Sequence, residues 1–452
     1  MEDYFTFTER LFDRGEVRDK PEALAGIRVL DLTHVIFGPY STGLLGRFGA
    51  EVIKVELPFY GDFFRTATYW GRYWKHSSPI EHFLHQNKYF VAIDIKLPKG
   101  KALVRRLAEI SDVVVENFAP GTMESWGVGY TELSKVNPKI VYLSCSTYGQ
   151  YGPLRFFPGW DLLAQAASGT ISLTGHPDTD KYYKLPDYLG DFIPAHVGAL
   201  SILNALYHRQ KTGKGQYIDL AQSECLMRIL WNYSYFSVTG EEIGRTGNTD
   251  PTMSPSGIFK TRDGKFVALV AGTDGQFAAL AEAMGREDLV AHDDYRDTIS
   301  RLKPENRDRL NCLVAEWVAT RDATEIVRLG GELAFPAAQV VDDLEICSDD
   351  WRQARGSVVL FDDEMYGKLA IPGPPAMLSK TPGRTKWLLR PVGYHNRYVF
   401  RRLLKLSEDE IQRLEKDRVV GYWDDRPGLK PPVYYDMQAD SVFNYRGDEK
   451  EE

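Results

Sequence analysis

The chain has 452 residues, 43% apolar and 26% charged, which is long for one domain and enough for a sizeable core. A formal net charge of −8 argues against general nucleic-acid binding but leaves room for a local basic pocket facing a phosphorylated ligand. Four widely spaced cysteines, Cys145, Cys225, Cys312 and Cys347, include no CxxC pair, which argues against a disulfide framework and for a reducing, cytoplasmic setting. No apolar run approaches the ~18 residues of a membrane span. Met1-Glu2-Asp3-Tyr4 also lacks the basic-then-apolar order of a signal peptide, so neither export nor membrane anchoring is expected.

Residues 1–23 are charged and broken by Gly15 and Pro21; they are expected to be an arm over a partner surface, or disordered, and carry no chemistry. From Ile27 to Leu32 the chain is apolar and β-branched. A turn at Gly38-Pro39, a helix to Phe48 and a strand over Glu51 to Val55 complete a βαβ unit that Glu56 closes. An acid there holds a ribose in dinucleotide-binding folds, but Gly38, Gly43, Gly46 and Gly49 form no GxGxxG, so a dehydrogenase is not the expectation. Further strands are predicted at Phe90–Ile93, Asp112–Val115 and Lys139–Cys145, alternating with helices at Gly100–Ile110 and Thr131–Val136. That alternation predicts a doubly wound, Rossmann-like parallel sheet. Its ligand rim would be His34–Phe37, Glu56–Arg65 and Asn117–Gly121, beyond the carboxyl ends of the strands.

A helix is expected at Trp160–Ser168, then a flexible stretch to Pro186. Leu185-Pro186-Asp187 is a breaker, and apolar residues recur at helical spacing from Pro194 to Gln210. Asp191, between Gly190 and Phe192, is therefore placed just ahead of a helix, where the plainest role of an aspartate is an N-cap. Lys211–Gln216 ends the helix, Tyr217–Leu220 is extended, and a second long helix is expected over Ser223–Ser237. Beyond Gly247-Asn248, Gly257–Lys260 and Phe266–Val270 flank a hairpin turn, and helices follow near Gly275–Met284, Glu305–Ala319 and Ala323–Leu329. The expected segments are the arm 1–23, a large α/β domain over 24–222, a linker helix in 223–247 and a small α+β domain over 248–331. Residues 332–421 would complete the large domain, and 422–452 form a Pro-, Asp- and Tyr-rich extension.

Several pieces recur in one order: Gly26-Ile27-Arg28-Val29-Leu30-Asp31, Gly38-Pro39, Gly49-Ala50-Glu51-Val52-Ile53-Lys54-Val55-Glu56, Asn87-Lys88 and Val115-Glu116-Asn117-Phe118-Ala119-Pro120-Gly121. Tyr148-Gly149-Gln150-Tyr151-Gly152-Pro153, Gly190-Asp191, Thr212-Gly213-Lys214-Gly215-Gln216 and Leu378-Ser379-Lys380-Thr381-Pro382 continue it. In this order the chain, from about Leu24 to about Gly421, resembles the class III coenzyme A transferases, which include formyl-CoA and carnitine CoA-transferases and, as a side branch, α-methylacyl-CoA racemase. The resemblance implies that Asp191 forms an acyl-enzyme. It implies coenzyme A on the rim loops, near Val35, Ile36, Phe37, Asn117 and Thr122, with acyl-CoA and a carboxylic acid as substrates and no tightly bound cofactor or metal. Of the nearby cations Lys54, Lys88, Lys96, Arg105 and Arg106, Lys88 and Lys96 are the ones expected to meet phosphates; Leu57-Pro58 replaces an arginine of formyl-CoA transferase.

Where the racemase branch has a histidine, this chain has Trp160, whose indole exchanges no proton at neutral pH, and His176 and His196 are read as structural. A CoA-transferase is therefore expected ahead of a racemase-like isomerase or a non-catalytic subunit of a heteromer. The resemblance also implies subunits threaded through each other, as a homodimer or with a paralogue. Thr252-Met253-Ser254-Pro255-Ser256-Gly257 departs from the glycine-rich lid of formyl-CoA transferase, so no such lid is expected. A carboxylate with an ordinary pKa of ~4 is ionised at neutral pH and would attack a thioester without a base. Oxyanion donors are sought at the N–H groups near Phe37 and Gly38 or at the helix start after Asp191. Ile36, Phe37, Tyr148 and Arg65 are assigned to the substrate, Arg65 as partner of a second carboxylate. If Phe63, Phe64, Tyr69, Trp70, Tyr73 and Trp74 line the pocket, the acid is larger than formate or oxalate, such as an aryl- or alkyl-substituted succinate with succinyl-CoA as donor.

Overall fold

The β-branched runs of the N-terminal half pair as one six-stranded parallel sheet: β1 (Arg28–Asp31), β2 (Glu51–Glu56), β3 (Lys88–Ala92), β4 (Val113–Glu116), β5 (Val141–Ser146) and β6 (Gln216–Ala221), in the order 3-2-1-4-5-6. The computed structural model describes residues 2–13, 15, 17–67, 74, 77–374 and 376–423. Register runs Val29↔Val52 on one side of β1 and Val29↔Val113 on the other. Alternate residues face opposite sides, and both sides are apolar because both are covered. Val29, Val52, Val113, Val115 and Leu143 pack with the helices Phe37–Arg47 and Leu189–Thr212. Leu30, Ile53, Val91 and Val114 pack with the helix Pro98–Glu109 and with Val399, Phe400, Ile411 and Leu414.

Sheet order reverses between β1 and β4, which opens a crevice between the loops that follow them. The helix Leu189–Thr212 begins earlier than the spacing predicts. Asp191 lies inside its first turn rather than ahead of it, and Gly190 is helical. The breaker ends at Asp187, and Pro194 falls inside the helix, where it has no N–H to offer the Gly190 carbonyl. By length and composition this helix is apolar enough to cross a membrane, contrary to expectation; Ala195, Ile202 and Ala205 are instead buried beside the sheet. It approaches the helix Phe37–Arg47 closely because Gly198 leaves room for Ser41, whose hydroxyl donates to the Ala195 carbonyl at 2.9 Å. Gly213, at φ +71°, ends it.

The chain divides into two compact units, the first comprising 1–168, 185–230 and 350–452 and the second 169–184 and 231–349. Several boundaries differ from expectation. Gly169–Lys184 belongs with the second unit, where Arg245 donates to the Thr179 carbonyl and the Gly247 N–H to that of Gly175, at 3.0 Å. The long helix predicted over Ser223–Ser237 is two short ones, Gln222–Met227 and Asn232–Thr239, because tightened i→i+3 bonds at Ile229 and Leu230 end the first. The predicted hairpin forms as β7 (Ser256–Lys260) and β8 (Phe266–Val270). Phe335–Val340 stays with this unit, its Ala337–Gln339 pairing with β8 as β9.

In the first unit, β10 (Val358–Asp363) and β11 (Gly367–Pro372) pair only with each other. The expected N-terminal arm is partly pinned to its own chain, since Arg384 donates to the carbonyls of Val17, Arg18 and Lys20. Tyr69, Trp70 and Tyr73, and most of the C-terminal extension, lie outside the described residues.

Candidate active site

The loop after β1 carries Val35 at φ +68°, a conformation a β-branched residue resists, at a cost of roughly 1–3 kcal/mol. Asp62 offsets that strain by accepting the Val35 N–H at 3.0 Å. Burial pushes the Asp62 carboxyl up, but the charge of Lys54, the neighbouring His34 ring and the N–H groups of Val35 and Phe64 hold it below its ordinary value. Lys54 reaches Asp62 at 3.0 Å and also donates to the Thr33 carbonyl. Across the crevice, the Asn117 amide receives the His34 N–H at 2.8 Å and donates to the His34 carbonyl at 2.7 Å. The loops after β1 and β4 are thereby locked to each other.

These loops open onto a cleft of about 380 Å³ whose lining includes Ile36, Phe37, Asn117, Tyr148, Trp160 and Asp191. The helix Phe37–Arg47 starts there, packed so tightly that a Cβ on Gly38 would sit 2.3 Å from Thr33. Its first intrahelical bond joins the Tyr40 N–H to the Ile36 carbonyl, so helix geometry leaves the Phe37 and Gly38 donors without an intrahelical acceptor. The N–H groups of Asp191 and Phe192 are both taken by the Tyr188 carbonyl, at 2.9 Å. Of the two oxyanion sites considered, the first has donors to spare.

Asp191 is only 7% exposed. Its Oδ1 accepts the Gln222 side-chain amide, whose own oxygen is held by the Thr147 hydroxyl at 2.9 Å. The Thr147 bond fixes which way the Gln222 amide points, so an N–H faces the carboxylate. Asp161 lies against the same helix start, and a Cβ on Gly190 would come within 2.5 Å of its Oδ1. Glycine at 190 therefore supplies space, not an unusual backbone angle. Burial pushes the Asp191 carboxyl up, Asp161 adds repulsion and Gln222 opposes both, leaving it at about 8. This corrects the expectation of a carboxylate ionised at neutral pH.

A second cleft of about 300 Å³ adjoins the first, sharing His34 and Phe118, and is lined by Lys54, Leu57, Phe63, Lys96 and Trp126 among others. Among the described residues no group of three or more His, Cys, Asp or Glu could hold a metal ion.

Residues 24–396 match the family described as CoA-transferase family III. The chain belongs to that family. This family III CoA-transferase is 36% identical to a succinyl-CoA–D-citramalate CoA-transferase of Chloroflexus aurantiacus, over 88% of this chain and 98% of the relative. It is also 36% identical to the beta subunit of a succinyl-CoA–L-malate CoA-transferase of the same organism, over 88% and 98%. A mouse succinyl-CoA:glutarate CoA-transferase is 32% identical over 88% of this chain and 90% of its own. A CAIB/BAIF family protein from Brucella suis superposes with a TM-score of 0.75 at 27% identity, over 85% of this chain and all of that one.

Val35, Ile36, Phe37, Asn117 and Tyr148 all line the Asp191 cleft of this family III CoA-transferase, and Lys96 lines the adjoining one. Thr122 opens a short helix and lies in neither lining. Lys88 is buried and donates to Asp31 at 2.8 Å and to the Pro39 carbonyl at 2.7 Å, which removes it from any phosphate. Arg65 is likewise buried on Glu56, at 2.7 and 2.9 Å, and bonds the Arg390 carbonyl; it is no partner for a substrate carboxylate. Of the expected aromatic pocket, Phe64 packs against Tyr188 and Trp74 against His82 and Tyr366, while Phe63 faces the second cleft. The aromatics that line the cleft with Asp191 are Phe37, Phe118, Tyr148, Phe156, Phe157 and Trp160 instead. Sequence reasoning missed Gln222, Asp161, Thr147 and Arg155. Asp161, an acid in the first turn of a predicted helix, was the only one of these with a local signal.

Proposed function

We propose that this chain moves coenzyme A from a dicarboxylyl-CoA thioester, of which succinyl-CoA is the type, to a second dicarboxylic acid through covalent intermediates on Asp191. The observation that carries this reading is a single buried carboxylate in the lining of the cleft, oriented by Gln222, in a lining shared with the start of the helix Phe37–Arg47, whose first N–H groups have no intrahelical acceptor. The names of the relatives supply the substrate class. Coenzyme A would lie from the second cleft, with its phosphates near Lys96, to the first, with its thioester at Asp191.

The ionised Asp191 oxygen attacks the thioester carbonyl and expels CoA thiolate, giving a mixed anhydride. The thiolate attacks the Asp191 carbonyl, releasing the donor acid and leaving an aspartyl-CoA thioester. The acceptor carboxylate then displaces the thiolate from Asp191, and the thiolate attacks the acceptor's carbonyl, which regenerates the aspartate. No proton is gained or lost over the cycle. Because Asp191 rests near pKa 8, only about one-tenth of the free enzyme is ionised at pH 7, so a proton must leave before the first attack. The Phe37 and Gly38 N–H groups face the developing oxyanions. Four free cysteines accord with a reducing compartment.

The reading includes an interlocked homodimer, supported by a chain that passes four times between its two units. The sedimentation mass of the protein expressed alone tests it. The chemistry is tested by mixing protein with succinyl-CoA, trapping with hydroxylamine or borohydride, and mapping the modified peptide. An adduct confined to Asp191 and absent from Asp191→Ala is expected. No adduct, with deuterium exchange at the α-carbon of an acyl-CoA, would replace transfer with isomerisation.

A further inference from the structure

The buried cations around the sheet are spent on partners within the fold: Lys54 on Asp62, Arg65 on Glu56, Lys88 on Asp31, Arg390 on Asp363, and Arg47 on the Gly373 and Phe83 carbonyls. Arg155 is different. It lines the catalytic cleft, half-buried, and no acidic side chain among the described residues stands within ion-pair distance of it. Its Nη1 donates to the Gly152 carbonyl at 2.9 Å, and its guanidinium lies 4.3 Å over the Phe156 ring. Those two contacts use one donor and one face of a five-donor fork and leave the rest unspent. The loop beneath it is fixed. Gly149 and Gly152 turn it at φ +87° and +93°, and the Gln150 N–H is anchored on the Asp219 carboxylate at 2.9 and 3.0 Å.

No other cationic group of the cleft lining can meet a carboxylate. Burial holds the His34 ring below its ordinary value, so it is neutral, and Asn117 is spent on the His34 backbone. A dicarboxylyl substrate brings one carboxyl to Asp191 and carries a second that stays ionised at neutral pH. Left unpaired beside Asp191 and Asp161, that second charge would be repelled. A stacked, oriented guanidinium is the group whose geometry matches it. We propose that Arg155 is a specificity-determining residue that holds the non-reacting carboxylate of the donor and then, in turn, of the acceptor. This rests on the transferase reading above and names how that site selects its substrates.

The test compares succinyl-CoA with butyryl-CoA, which has the same chain length and no second charge, in wild type, Arg155→Lys and Arg155→Met. The readouts are the rate of the trapped Asp191 adduct and kcat/KM. Arg155→Met is expected to lose on the order of 100-fold with succinyl-CoA and little with butyryl-CoA, so that the preference collapses; Arg155→Lys falls between. Equal losses with both donors, or an unchanged preference, would overturn the assignment while leaving Asp191 transfer intact. A wild type that forms no adduct with either donor would remove the transferase reading, and the assignment with it.

Discussion

Burial, the Asp161 carboxylate and the Gln222 amide together set the Asp191 carboxyl, and in the proposed mechanism its ionisation controls the reaction. kcat/KM reports the free enzyme, so it is expected to fall about tenfold per pH unit below about 8 and to level off above it. The two neighbours act in opposite senses. Asp161→Asn removes repulsion and should move that limb to lower pH, whereas Gln222→Leu removes the donor and should move it to higher pH. Initial rates from pH 5.5 to 9.5 decide this; limbs that shift together, or not at all, would mean another group titrates. Asp191 could be singled out as a candidate because its Gly-Asp pair falls in an ordered run of motifs. Gln222 and Thr147 were not, because each is an ordinary polar residue locally and gains meaning only where the chain ends of β5 and β6 meet beside the long helix.

At the level of elements, the alternation of β-branched runs and helical periodicity disclosed the parallel sheet, and with it the rim loops at the point where strand order reverses. What the pattern could not disclose was that cations on the strands and the loops after them, Lys54, Lys88 and Arg65, point inward. Lys88 finds Asp31 across 57 positions of sequence, and Arg65 finds the Arg390 carbonyl across 325. A lysine at a strand end is read as solvated unless its distant partner is known. The Lys54–Asp62 pair makes the loop after β1 rigid in its strained form, and it is fully buried. Asp62→Ala strands the Lys54 charge and releases the Val35 N–H, so it should cost about 3–5 kcal/mol in denaturant unfolding and weaken CoA binding. Lys54→Met with Asp62→Ala should recover part of the stability but not the CoA affinity, since the Val35 donor still lacks its acceptor. Recovery of both would show that the pair serves stability alone.

For the whole molecule, the expected return of the C-terminal segment to the large domain takes a form that periodicity did not foretell. Among the described residues it adds no strand to the sheet; it covers the edge. β3 is the last strand on its side, and its outward donors are met by side chains: the Phe90 N–H by His395 Nδ1 and the Ala92 N–H by Asn396, each at 2.9 Å. The Asp94 N–H continues onto the Val419 carbonyl at 2.8 Å, and Val399, Phe400, Ile411 and Leu414 close the core below. An open strand edge with an exposed apolar face recruits other chains, so a chain ended at Trp387 is expected to aggregate instead of folding. The His395 contact adds a pH dependence of known sign. Burial holds the ring down to about 3, with the Arg390 charge acting the same way, whereas the unfolded ring titrates near 6.5. Between those values the unfolded chain binds a proton that the folded one does not, so stability is lost as pH falls through that window, by up to about 1.4 kcal/mol per unit. Denaturant midpoints from pH 7 to 4 should therefore drop less steeply for His395→Asn, which keeps an acceptor and loses the titration. Parallel curves for the two proteins would assign the loss to the carboxylates and leave His395 as an edge cap only.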